Sequence, residues 1–213
     1  MPSNGWEKKG SAPNVSRHLR RARRRHLLTK SPQGVVDSTG LETRHVSSHF
    51  IRCRKRGSYH RRCWTKWTVV CDTRTHLIAA CLVRQGPAYD FRDLPQVLVE
   101  AQPHVQFGQI LADSGYDSEA NHRFCRETLK IRSTVIACNR RGRAAVPTGR
   151  HRRQMAQRFA RKTYGHRWQV ESVFSRNKRL LGSALRARSA VARRQECHIR
   201  VLTHNLKILR RAA

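Results

Sequence analysis

The chain has 213 residues, with 45 Lys and Arg against 13 Asp and Glu and a formal net charge of +32 at pH 7. Such a chain repels itself unless a polyanion screens it, and its longest purely apolar run, Leu77 to Val83, is far short of the roughly 20 residues that cross a bilayer. Hydrophobic residues at 38% are enough for one core, so a single basic domain with nucleic acid as its first candidate partner is expected.

Residues 1 to 32 read as a basic arm, flexible when free, in which Arg17 to Leu28 forms a short helix only against a polyanion. The segment Gly34-Val35-Val36-Asp37-Ser38 reads as a short buried strand. A basic loop follows from Thr43 to Arg62, turning at Gly57-Ser58. Trp64 to Cys71 and His76 to Val83 form a hairpin around Asp72-Thr73-Arg74-Thr75. Leu94 to Ala101 is a helix with Pro95 in its first turn. Phe107 to Ala112 is a strand closed by Asp113-Ser114-Gly115, and Asp117 or Ser118 caps a helix to about Leu129. Ser133 to Ala137 is a strand, Asn139 to Arg153 a basic loop, Gln157 to Leu181 a long helix and Val191 to Leu209 a last one. Hairpin strands first and α/β crossovers afterwards predict a mixed sheet with helices packed on it.

Seven cysteines, none spaced as C-x-x-C, give no zinc or redox motif. Cys53 and Cys63 lie near His49 and His60, at intervals that match no known finger. No apolar stretch follows the N-terminal charges, so no secretory signal is expected. A reduced, cytoplasmic compartment fits these features.

In so basic a chain the 13 acids carry the information. Asp72 suits a hairpin turn, Asp90 and Asp93 look like helix caps, and Asp117 and Glu119 open a helix. Asp37 and Asp113 stand apart, because each ends an apolar strand, where a carboxylate is costly unless a cation faces it. Glu171 is the only acid between Arg140 and Arg179. The plain reading is an ion pair with Arg167 at i−4. At 100° per residue, however, Tyr164, Arg167, Glu171 and Lys178 share one arc of roughly 60°, and Val170, Phe174 and Leu181 form the adjoining apolar flank.

Tyr164-x2-Arg167-x3-Glu171-x6-Lys178 resembles the Tyr-Arg-Glu-Lys signature of DDE transposases of insertion-sequence families 4 and 5. Val36-Asp37-Ser38-Thr39-Gly40 resembles the block holding their first Asp, and Ile110-Leu111-Ala112-Asp113-Ser114-Gly115-Tyr116-Asp117 the block holding their second. The similarity covers about residues 34 to 210. It implies an α/β, RNase H-like catalytic domain over residues 33–213, a mixed five-stranded sheet flanked by helices. It also implies that Asp37, Asp113 and Glu171 are catalytic and hold two Mg2+ ions, with Mn2+ as a substitute. Tyr164, Arg167 and Lys178 would contact DNA phosphates. The partners implied are double-stranded DNA at transposon ends and target, and a second copy of the chain on DNA; no membrane is implied. The activity implied is metal-dependent cleavage and strand transfer, in a prokaryotic, nucleoid-associated setting.

Relatives usually carry a larger DNA-binding region before the first Asp than the 36 residues found here. A shortened copy and a product dependent on another polypeptide both fit. Charge alone also fits a non-enzymatic basic nucleic-acid-binding protein, which would bind without metal and break no strand.

Overall fold

A computed structural model of the chain describes residues 12–43, 64–139 and 147–212. Its centre is a sheet of strands β1 (Gln33–Thr43), β2 (Thr65–Asp72), β3 (Ile78–Gln85), β4 (Gln109–Ala112) and β5 (Ser133–Ile136), ordered β3-β2-β1-β4-β5. β1, β2 and β3 are antiparallel neighbours; β4 lies parallel to β1 and β5 parallel to β4. This is the mixed five-stranded sheet that the resemblance implies. A sixth strand of two residues, β6 (Ala184–Leu185), pairs with the far end of β1 and carries too little pattern to be read from sequence.

The helices are α1 (Ala12–Arg24), α2 (Asp93–Ala101), α3 (Glu119–Arg123, continued by a π-helical turn Phe124–Thr128), α4 (Arg150–Gln157), α5 (Arg161–Tyr164), α6 (Trp168–Leu181) and α7 (Ala190–Arg211). The apolar runs of β2 and β3 are long because both faces of the sheet are covered; every residue of β2 is buried. Asp72 closes their turn, its carboxylate accepting from the Thr75 N–H at 2.9 Å. α6 lies against this sheet through Val170, Val173 and Phe174, and the Phe174 ring meets Trp67 of β2 edge-on, 5.7 Å between centroids. Leu181, expected on this flank, is exposed at the helix end.

The N-terminal expectation needs correction over α1. Val15, Leu19 and Ala22 recur at helical spacing and are buried, and Leu28 follows them into the core. Arg25 donates from Nη1 to the Leu209 carbonyl of α7 at 3.0 Å. The arginines dominate the composition of this segment and hide the apolar stripe that docks it. The long helix expected from Gln157 to Leu181 is broken after α4, and α4 itself fills the end of the expected basic loop. The loop from Thr43 to Arg62 and the Cys53, Cys63, His49 and His60 group lie outside the described residues. Among the described residues no helix is long and apolar enough to cross a membrane.

Because Leu19 is 1% exposed, Leu19→Ala should lower unfolding stability by about 2–4 kcal/mol, read from the urea midpoint. A free arm would leave that midpoint unchanged.

Candidate active site

β4 runs beside β1 only as far as the pair Val36 and Ala112. β1 continues for seven more residues, and β6 joins the same edge only at Glu42. The edge of β1 from Asp37 to Leu41 therefore faces a notch, with no strand paired to it there among the described residues. Asp37 is the first β1 residue in this notch, and Asp113 is the first residue past the end of β4. The expectation that Asp37 ends its own strand is thus corrected: it is the neighbouring strand that ends.

Parallel pairing sets the two carboxylates side by side. Asp37 accepts from the Ser38 N–H at 2.8 Å, and Asp113 accepts from the Ser114 N–H at 2.6 Å. Burial pushes the Asp37 carboxyl up to about 6, with Asp113 and Asp90 adding like-charge repulsion and the Ser38 N–H and Arg167 opposing it.

The helical segment from α5 into α6 supplies the counter-charges. The Tyr164 hydroxyl donates to Asp113 Oδ1 at 3.4 Å. Burial and the Asp113 charge raise the Tyr164 phenol above its ordinary value, so it stays a donor at neutral pH. Arg167 donates from Nη1 to Asp37 Oδ2 at 3.3 Å and from Nη2 to Glu171 Oε1 at 2.8 Å. Its guanidinium resists losing its proton, because Asp37, Tyr164, Asp113 and Glu171 outweigh burial. Lys178 reaches β1 further along, donating from Nζ to Thr39 Oγ1 at 2.7 Å.

The six residues singled out from sequence thus assemble in two tiers. Asp37, Asp113, Tyr164 and Arg167 meet directly at the notch, and Lys178 covers the strand two residues on. Glu171 is tied to the group through Arg167 and its side chain is 56% exposed. Glu171 thus reaches the aspartates through Arg167 rather than directly, and among the described residues no group of three or more His, Cys, Asp or Glu is assembled that could hold a metal ion. The i−4 ion pair is present, and the same guanidinium also reaches Asp37.

Sequence reasoning missed a second layer. Asp90 and Asp93 cap no helix. Lys66, second residue of β2 and 2% exposed, holds Asp90 at 2.6 Å and Asp93 at 2.7 Å, and donates to the Ala88 carbonyl at 3.0 Å. Asp93 also pairs with Arg84 at 2.7 Å and accepts from the Thr68 hydroxyl at 3.1 Å. The signal was a lysine inside an apolar strand, where a buried ammonium needs acceptors. Ser118 caps α3, while Asp117 turns to Arg152 at 2.7 Å. Burial works to raise the Asp117 carboxyl, but His122, Arg152 and the Asn139 N–H outweigh it and hold the group below its usual range.

Residues 28–206 match the family model described as the Transposase DDE domain, and the chain belongs to that family. The chain is also similar to two solved structures: the crystal structure of the Mos1 strand transfer complex (11% identity, TM-score 0.38) and that of a pre-cleavage Mos1 transpososome (12% identity, TM-score 0.29). Each similarity covers 100% of this chain, which spans 63% of the first matched chain and 66% of the second. No match is found among curated proteins.

A carboxyl raised on folding is more stable protonated. Its contribution to stability is full below about pH 4 and is lost as the pH climbs through about 6. Asp37→Asn removes that loss. Relative to the parent, the metal-free variant should gain about 1–3 kcal/mol between pH 4 and pH 7.5, measured by urea unfolding at both pH values. An equal effect at both would contradict the raised value.

Proposed function

We propose that this chain is the catalytic domain of a DNA transposase that cuts and joins phosphodiester bonds at transposon ends. The observation that supports this most is the notch on β1, where Asp37 and Asp113 meet Tyr164 and Arg167, with Glu171 held by the same guanidinium. A basic protein built only to coat DNA has no use for a half-buried pair of carboxylates on its sheet, one of them raised by desolvation.

The donor set fits a divalent cation in kind: oxygen-only, anionic, and partly desolvated at Asp37. In this reading Asp37 and Asp113 hold Mg2+, joined by Glu171, with Mn2+ as a substitute and two ions as the full complement. Bound there, such ions activate an attacking oxygen and stabilise the leaving oxygen of a phosphodiester.

The chain's own residues supply the rest. Arg167 is the resident counter-ion of the carboxylates when nothing else neutralises them. It turns to a DNA phosphate when they are otherwise satisfied, since a guanidinium forks onto phosphate as well as onto carboxylate. Tyr164 keeps its proton and fixes Asp113 by hydrogen bonding, and it lies where a phosphate oxygen can take the place of Asp113. Lys178 adds a point charge along the strand edge. The positive charge of the remaining surface binds the duplex backbone in any sequence. In this reading the residues of the Tyr-Arg-Glu-Lys arrangement act as in transposases of insertion-sequence families 4 and 5. The active form is a pair of chains on DNA at the nucleoid, and residues 33–213 are the catalytic unit.

The test is strand cleavage and joining on duplex carrying the element's ends, with and without Mg2+. Asp37→Ala, Asp113→Ala and Glu171→Ala should each lower cleavage by at least about 10³-fold, on the scale of lost transition-state stabilisation, while the DNA dissociation constant changes little. Cleavage that persists in any of the three contradicts the assignment. Metal-independent binding with no strand breaks favours the basic coating protein. Nicks without joined product favour a nuclease. In the absence of DNA, Mg2+ should raise the thermal midpoint of the parent and not that of Asp37→Ala.

A further inference from the structure

Asp90 is the fourth carboxylate at the notch, and it comes from the segment leading into α2. Three contacts define its place. Its Oδ1 accepts from the Ser38 hydroxyl at 2.8 Å, and Ser38 is the residue whose N–H holds Asp37. The same oxygen lies 2.6 Å from Lys66 Nζ. Its Oδ2 lies only 2.9 Å from where a Cβ on Gly115 would stand, two residues after Asp113. One carboxylate therefore touches the turn after each strand-edge acid. The close approach also explains the glycine in Asp113-Ser114-Gly115, since any side chain there would displace Asp90.

Lys66 makes this bracket rigid. It is 2% exposed, ion-paired with both Asp90 and Asp93, and donates to the Ala88 carbonyl. Asp93, 1% exposed, is fixed in turn by Arg84 and Thr68. Lys66 stands opposite Gly40 on β1, so the bracket is anchored in the strand next to the notch. Asp90 itself is partly open to solvent, at 37%. The chain thus places a buried cation behind a half-exposed anion that bears on both catalytic turns.

We propose that Asp90, clamped by Lys66, is a positioning residue that locks the Asp37-Ser38 and Asp113-Ser114-Gly115 turns to one another and so sets the separation of the two strand-edge carboxylates. This rests on the catalytic reading of Asp37 and Asp113 given above. Groups that orient liganding side chains are worth about 10–100-fold in metal affinity or activity when removed.

Amide hydrogen exchange in the full, metal-free chain reads the coupling without reference to activity. Asp90→Ala should speed exchange about tenfold in segment 36–40, the loss of one hydrogen bond, speed it as well in segment 112–117, where the packing against Gly115 is lost, and leave β5 unchanged. Asp90→Asn, which keeps an acceptor for Ser38 and the same shape against Gly115, should restore most of the protection. With end-bearing DNA at saturation, Asp90→Ala should cleave about 10–100-fold more slowly with an unchanged DNA dissociation constant; a general loss of fold would weaken both. If Asp90→Ala does not fold, Ser38→Ala tests the same link while sparing Lys66, and should deprotect 36–40 alone. Unchanged exchange at 36–40 in either variant, or at 112–117 in Asp90→Ala, overturns the proposal, as does deprotection that spreads to β5. If exchange behaves as expected in a protein that never cleaves DNA, the bracket stands and the transposase chemistry is what fails.

Discussion

The parallel register of β1 and β4 is the constraint on which the site depends. Val36 pairs with Ala112, β4 stops there, and β1 goes on paired with β2 alone until β6 meets its open edge at Glu42. A sheet interrupted on one edge presents a buried floor with an open side. The first residue on each strand beyond the last pair is an aspartate, so two carboxylates are forced into proximity by backbone hydrogen bonding alone. Their repulsion and desolvation appear in the raised Asp37 carboxyl. Folding tolerates that cost because the rest of the sheet is deeply buried, and because Arg167 brings a compensating charge from the helix packed above.

Arg167 links fold to chemistry. It sits at the junction of the turn after α5 with α6, and α6 is held by the apolar contacts of Val170, Val173 and Phe174 with the sheet. The packing flank of the helix thus fixes where its polar flank points. The guanidinium pairs with Asp37 and Glu171 together and so offsets the repulsion between the carboxylates at the notch. In the catalytic reading the same group is the part that must move, exchanging carboxylates for a phosphate. A pair of modest ion-pair contacts, one partner of which is more than half exposed, is weak enough for that exchange.

Much of this was legible in the residues. β-rich runs on either side of a four-residue turn marked β2 and β3, and Asp72 suited that turn through its side chain. The scarcity of acids made Asp37, Asp113 and Glu171 conspicuous, and the helical arc grouped Tyr164, Arg167 and Lys178 with Glu171. What sequence could not show has physical reasons. Glu171 was expected beside the aspartates, but periodicity fixes only a direction around a helix, not which of two carboxylates a shared arginine draws in. The stripe of Val15, Leu19 and Ala22 was masked by arginines that dominate its surroundings. Asp90 and Asp93 preceded a helix and looked like caps, because their partner, Lys66, is 24 and 27 residues away in sequence and only strand pairing brings it near.

The central claim is that the notch on β1 is built to hold divalent cations between its aspartates. The most direct measurement is anomalous diffraction from crystals equilibrated with Mn2+. The account requires a peak bonded to carboxylate oxygens of both Asp37 and Asp113, with Arg167 withdrawn from Asp37. A map with no peak at the notch while Arg167 keeps its hold on Asp37, or with Mn2+ bound only elsewhere on the chain, would contradict it.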